Sequence, residues 1–185
     1  MEFAGVTLFN FERELSAESN LVASQAAKQS CEQQQRDVYE SHRHRIFSLA
    51  FYMTANELEA EEILASTFVR VFQQHERPDG FAVDSALMHQ LSEKFALRQE
   101  ETPAVPAAGL GLGHRNVHRS ILEAAVSNLP ANERLLFLLR DVEGYAPAMI
   151  SRLLDIPEAQ VQRSLFSARI RLRQALSEQL RTEAA

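Results

Sequence analysis

Two prolines and three glycines crowd into residues 100–116 (EETPAVPAAGLGLGHRN), out of six of each in the whole chain. Proline removes a backbone donor and glycine carries the largest backbone entropy, so neither helix nor strand is expected to run through this segment. It reads as an interdomain linker. A chain of 185 residues has room for one medium domain or two small ones. The linker favours two, at residues 36–99 and 117–181, with residues 1–35 as a polar extension.

Both parts read as helix, because apolar residues recur at helical spacing and never alternate as in a strand. Residues 11–35 are Gln- and Ser-rich, without proline or glycine, and carry only a thin apolar stripe. Val38, Tyr39, His42, Ile46, Leu49, Ala50 and Met53 mark a helix over 36–54. Asn56 and Glu59 form a capping box for a second helix to about His75, with Leu58, Ile63, Leu64, Phe68, Val71 and Phe72 apolar. Pro78-Asp79-Gly80 predicts a turn, and Asp84 is the expected cap of a third helix to about residue 99. Beyond the linker, helices are expected over Val117–Ser127, Pro130–Val142 with Gly144 as C-cap, Pro147–Leu154, and Pro157 to about Leu180. The fold class is therefore all-α, two small helical domains, the second containing a helix–turn–helix.

The net charge of −6 argues at first against a nucleic-acid partner. Its distribution changes that reading. Residues 1–110 hold nine basic and seventeen acidic groups, whereas residues 111–185 hold ten and eight. Halves of opposite sign suit two units with different partners. A single cysteine, Cys31, excludes an internal disulfide and a cysteine-rich metal site. No apolar run approaches the ~20 residues of a membrane span. The N-terminus lacks a basic signal region, so a cytoplasmic protein is expected.

The sharpest local pattern is the helix–turn–helix. Ile150, Leu154, Ile156, Val161 and Leu165 are spaced for two helices to cross over a shared apolar contact. The second helix would then present Glu158, Gln160, Gln162, Arg163, Phe166 and Arg169 to a DNA major groove. Gln and Arg match adenine and guanine edges, and further arginines neutralise phosphate. From Ala159 to Ser177 there are four arginines and no acid. An ordinary helical hairpin with a solvated basic face fits the spacing equally well.

Other clusters point to no chemistry. His42 and His44 lie on different helix faces, while His114 and His118 lack a third ligand, so no metal or other cofactor is expected. Glu57, Glu59, Glu61 and Glu62 suit a helix N-terminus better than acid–base catalysis. Gly109-Leu110-Gly111-Leu112-Gly113 follows no strand and is not a phosphate loop. No nucleophile–base pair stands out, so the chain is not expected to be an enzyme.

The second block, SNLPANERLLFLLRDVEGYAPAMISRLLDIPEAQVQRSLFSARIRLRQAL, resembles the sigma-70 superfamily. The likeness is to region 4 of the two-domain extracytoplasmic-function sigma factors of bacterial RNA polymerase. Leu129, Pro130, Arg134, Leu139, Gly144, Ile150, Leu154, Pro157, Val161, Leu165, Ala168, Arg169 and Leu172 carry it. Residues 36–98 are similar to region 2, with Ala60-Glu61-Glu62-Ile63 and Phe68-Val69-Arg70-Val71-Phe72 in the usual places. The resemblance implies three partners. Promoter DNA would be read at the minus-35 element by the helix from Pro157. Core RNA polymerase would be gripped at its β′ clamp helices and its β flap, with Glu62, Phe68 and Arg70 as contact candidates. An anti-sigma factor would be the third.

The departures concentrate where the family melts DNA. Residues 79–101 contain no tryptophan, place Glu93 where Asn is usual, and hold two basic against five acidic groups. Strand capture needs aromatic platforms and positive charge. The alternative reading is therefore a divergent paralogue or helix–turn–helix regulator that binds polymerase, an anti-sigma protein or DNA without melting promoters.

Overall fold

The computed structural model describes residues 5–95, 97 and 118–182; residues 100–116, expected as the linker, lie outside them. Among the described residues all regular structure is helical.

Helix α1 runs unbroken from Gly5 to Thr54, across the position expected to divide the N-terminal extension from the first domain. No glycine or proline interrupts it after Gly5, and near its C-terminal end Ile46, Leu49, Ala50 and Met53 are buried. The chain reverses in two residues. Thr54 Oγ1 donates to the carbonyl of Ala50 (3.0 Å), Ala55 takes a left-handed φ of 53°, and Asn56 opens α2 (Glu57–Gln74). The Asn56 side chain accepts the amides of Leu58 (3.0 Å) and Glu59 (3.4 Å), as the capping box predicts. Glu59 reaches back to Asn56 Nδ2, not to the backbone.

Helix α3 spans Gly80–Phe95 and begins earlier than expected. Its first turn is held by Asp79, whose Oδ1 accepts the Ala82 amide (2.8 Å). Asp84, expected as the cap, is instead buried in the second turn and faces α1. Pro78 stops the preceding chain, and the apolar Phe81-Ala82-Val83 stretch lets the helix start at Gly80.

The second unit holds α4 (Arg119–Ser127), α5 (Ala131–Phe137), α6 (Pro147–Leu154) and α7 (Glu158–Thr182). After α5 the chain widens into a π-helical turn over Leu138–Val142, with the Glu143 amide on the Leu138 carbonyl (2.9 Å). Gly144, at φ 79°, then redirects it. Val161, Leu165, Ala168, Leu172 and Leu176 form the buried inner face of α7. A carboxylate crosses this core: Glu133, 1% exposed, accepts Ser167 Oγ (2.8 Å) and faces Arg171 Nε (3.1 Å).

The two units pack together, α6 on α3 and α4 and α5 on α1, and their buried apolar residues form one cluster from Ile46 to Leu176. Cations close the seam. Arg45 of α1 bonds both Asp84 and the Tyr145 hydroxyl, and that hydroxyl donates to Asp84 (2.5 Å). Burial alone would depress the Arg45 pKa, but its bond to Asp84 raises it overall. Burial, then the bond to Asp84, raises that of Tyr145. The Arg152 guanidinium of α6 lies 4.5 Å from the centre of the Phe81 ring. Arg134 bonds the carbonyls of Ser127 and Leu129 (3.0 Å) at the end of α4 and reaches Met53 O (2.8 Å) at the end of α1.

Two predictions follow from these bonds. Arg134 serves three carbonyls at two helix ends, so Arg134→Met should destabilise the chain by about 2–3 kcal/mol in chemical denaturation. Glu143 faces the same seam. Burial holds its carboxyl above the ordinary 4.5, with Arg45 opposing and Asp84 adding. The folded chain therefore binds that proton more tightly than the unfolded one. Its stabilising share is complete below pH 4.5 and is lost as pH rises through the raised value. Glu143→Gln should remove that decline, raising the melting temperature at pH 7 more than at pH 4.

Candidate nucleic-acid interface

The helix–turn–helix is built from α6, a tight turn and α7. Asp155 adopts the left-handed conformation at φ 52°, and Ser151 pins the turn from both sides. Its Oγ donates to the Ile156 carbonyl (2.6 Å), and its carbonyl accepts the Ile156 amide (3.1 Å). Ile150, Val161 and Leu165 are buried between the helices. That burial fixes the phase of α7 and therefore what it shows to solvent.

Of the six candidates on that face, Glu158, Gln162, Arg163, Phe166 and Arg169 are exposed and Gln160 is half-buried. Phe166 is 60% exposed, an unusual placement for a phenyl ring. Gln162 Nε2 lies 3.4 Å from Glu158 Oε1, and Arg163 Nε lies 3.3 Å from the Ala159 carbonyl. Arg169 is already paired. Its Nε and Nη2 contact the two Asp141 oxygens at 3.0 and 2.6 Å, which raises its pKa. Arg171 turns inward to Glu133. The run of four arginines thus resolves into two held by carboxylates and two, Arg163 and Arg173, exposed to solvent.

The polymerase candidates separate. Glu62 is exposed on α2. Phe68 is 4% exposed and packs on Tyr39 and Phe72, with ring centres at 4.8 and 5.6 Å. It is a core residue, not a surface contact. Arg70 leans across to α3, with its guanidinium 2.9 and 3.1 Å from the His89 ring nitrogens. Leu58, read from sequence as part of the apolar face, is 76% exposed, and Val69 is 55% exposed. The signal for both was available. Ala60, Ile63, Thr67 and Val71 set the buried phase, and Leu58, Glu62, Ala65 and Val69 fall opposite.

A second site was missed because its cations come from different elements. A cavity of about 540 Å³ between α2 and α3 is lined by Arg70, His75, Arg77, Phe81 and His89. Asp79 also lines it, but one carboxylate oxygen is committed to capping α3. Positive groups and an aromatic ring therefore stand beside the segment whose own charge is acidic.

No metal centre forms among the described residues, because no three ligating side chains come together. His114 lies outside them, and His118 immediately precedes α4. Burial first, and then Arg45, lower the pKa of His42. Cys31 Sγ lies 3.6 Å from the Glu76 carbonyl. Among the described residues no helix is long and apolar enough to cross a membrane.

Residues 119–172 match the family described as sigma-70, region 4, and the match takes in the whole helix–turn–helix. The chain is also similar to the ECF RNA polymerase sigma factor SigE of Mycolicibacterium smegmatis, 25% identical over 156 residues. That likeness covers 76% of this chain and 61% of the relative, so the chain spans less than two thirds of the protein it resembles.

The Asp141–Arg169 pair ties the π turn to α7 at the surface, with Arg169 about half exposed. Solvent limits what such a pair contributes. Asp141→Asn should lower stability by about 1 kcal/mol or less in denaturant titration, with the helical circular-dichroism signal retained.

Proposed function

We propose that this chain is a sigma-70-like factor, with residues 119–172 as a region 4 domain, and that it brings core RNA polymerase to promoter DNA. The observation that carries the reading is the division of α7. Val161, Leu165, Ala168 and Leu172 are buried, while Gln162, Arg163 and Phe166 stand exposed along the first turns after a tight helix–turn–helix. A helix so mounted enters a major groove, where amide and guanidinium groups meet base edges and a phenyl ring meets thymine methyls. Residues 36–95 serve as the region 2-like unit. The face of α2 with Leu58, Glu62 and Val69 is the polymerase grip, two apolar side chains ringed by acids. An anti-sigma protein would compete for this grip. The polymerase supplies the chemistry; this chain supplies recognition.

The cavity lined by Arg70, His75, Arg77, Phe81 and His89 is the place for a separated DNA strand, joining cations to an aromatic surface. A second reading, a regulator that binds polymerase without opening DNA, is favoured by one observation. The chain has no tryptophan on which an unpaired base could stack. Transcription with core polymerase separates them, since core binding without an open complex at any promoter selects the regulator.

Arg163→Ala should weaken binding to a promoter duplex and lower the slope of log K against log salt by about 0.9, one phosphate contact. Arg169→Ala should change the slope less, because Asp141 already balances that charge. Val69→Glu should weaken association with core polymerase by about tenfold or more while leaving duplex binding intact. Unchanged DNA affinity and salt slope in the Arg163 variant would overturn the groove assignment. Unchanged core affinity in the Val69 variant would overturn the α2 grip.

A further inference from the structure

Arg70 and Arg77 bring two permanent positive charges into one cavity of about 540 Å³, with His75 and His89 beside them. Among the described residues neither arginine forms an ion pair with a carboxylate. Arg70 lies instead against the two ring nitrogens of His89, at 2.9 and 3.1 Å. An imidazole offers at most one acceptor nitrogen, so one of these contacts is not a hydrogen bond and Arg70 keeps a donor to give. Glu93 Oε2, 3.2 Å from His89 Nδ1, marks Nε2 as the accepting nitrogen. Phe81 lines the same cavity and carries the Arg152 guanidinium 4.5 Å from its ring centre, so a second flat group can stack only on its other face. Asp79 is the one carboxylate in the lining, with Oδ1 committed to the Ala82 amide. Gln74 and Ser85 add neutral polar groups. The volume falls within the range of small-molecule sites, roughly 300–1,000 Å³.

We propose that this cavity binds a free nucleoside 5′-monophosphate, with the phosphate on Arg70 and Arg77 and the base on Phe81. Two permanent cations balance a phosphate monoester, which carries about −1.5 to −2 at pH 7. A second phosphate finds no further permanent cation there and meets the Asp79 carboxylate instead. The base needs only a ring to stack on, and Phe81 is the aromatic side chain of the lining. Such a site goes beyond the strand reading and stands whether or not a separated strand enters the cavity. Where a strand does enter, the nucleotide excludes it, and strand capture falls as the nucleotide concentration rises.

The test is calorimetric titration of the full chain with adenosine 5′-monophosphate, adenosine and inorganic phosphate. The expected result is one site for the monophosphate, with adenosine and phosphate each bound at least tenfold more weakly. Arg77 is exposed, and Arg77→Ala should weaken the monophosphate about tenfold, the scale of one charge-assisted hydrogen bond. Phe81→Leu should weaken it by a similar factor and leave inorganic phosphate unchanged. Both variants should keep the helical circular-dichroism signal. No binding of the monophosphate, or unchanged affinity in either variant, overturns the site. Equal affinity for inorganic phosphate and the monophosphate overturns the nucleotide assignment. A single-stranded oligonucleotide separates this proposal from the strand reading. If that strand binds more weakly to Arg77→Ala while the monophosphate does not bind at all, the nucleotide site fails and the strand reading survives. If the monophosphate binds and the strand does not displace it, the strand reading fails and the nucleotide site stands.

Discussion

A carboxylate with almost no water around it must be paired, and Asp84 is paired from two directions. Arg45 meets it from α1 and Tyr145 from beyond the π turn. The first bond sets α3 against α1 inside the N-terminal unit; the second sets the helix–turn–helix unit against both. Leaving such a carboxylate alone in the interior is strongly unfavourable, so the register of three helices is selected together. The apolar cluster around it supplies non-directional attraction. It would tolerate α6 lying at several positions along α3, whereas the hydroxyl–carboxylate bond does not.

The Arg140-Asp141-x-x-Gly144-Tyr145 stretch can now be read as mechanics. The π turn shifts the side chains by one position, and Asp141 lands opposite Arg169. Gly144 takes a backbone conformation other residues resist, and Arg140 donates to the Tyr145 carbonyl (3.0 Å). With its backbone held, Tyr145 projects across the seam. Four neighbouring residues thus fix α7 within its own unit and that unit against the rest of the chain. A pattern noticed in the sequence as family likeness has separate physical tasks at each position.

The elements legible in the sequence were those decided by local chemistry. The Asn56 cap and the apolar contact of Ile150, Val161 and Leu165 depend on residues a few positions apart, and they formed where the spacing predicts. The helix–turn–helix was legible for the same reason. Features decided by distant partners were not. Asp84 looked like a cap because Asp commonly is one, and its true partners lie 39 and 61 positions away. Arg169 and Arg171 looked like free cations because Asp141 and Glu133 come from another helix, 28 and 38 positions back. Phe68 looked like a contact because its segment resembles a motif that touches a partner, yet the phase of α2 turns it inward. The packing of one unit on the other had no local signal.

Charge follows the same rule, because an acidic total does not set the character of each surface. Net charge governs attraction at a distance, but within a Debye length only the local arrangement counts. Three acids of the second unit are engaged: Glu133 inside the core, Asp141 on Arg169, Glu143 at the seam. The exposed side chains of α7 include Glu158, Gln162, Arg163, Phe166, Arg169 and Arg173, with Arg163 and Arg173 not held by a carboxylate among the described residues. In the first unit, the acids of α2 face outward beside Leu58 and Val69, while Arg70, His75 and Arg77 gather on the other side against α3. The seam then sorts these surfaces. It leaves the α2 and α7 faces open and covers one side of α3 with α6.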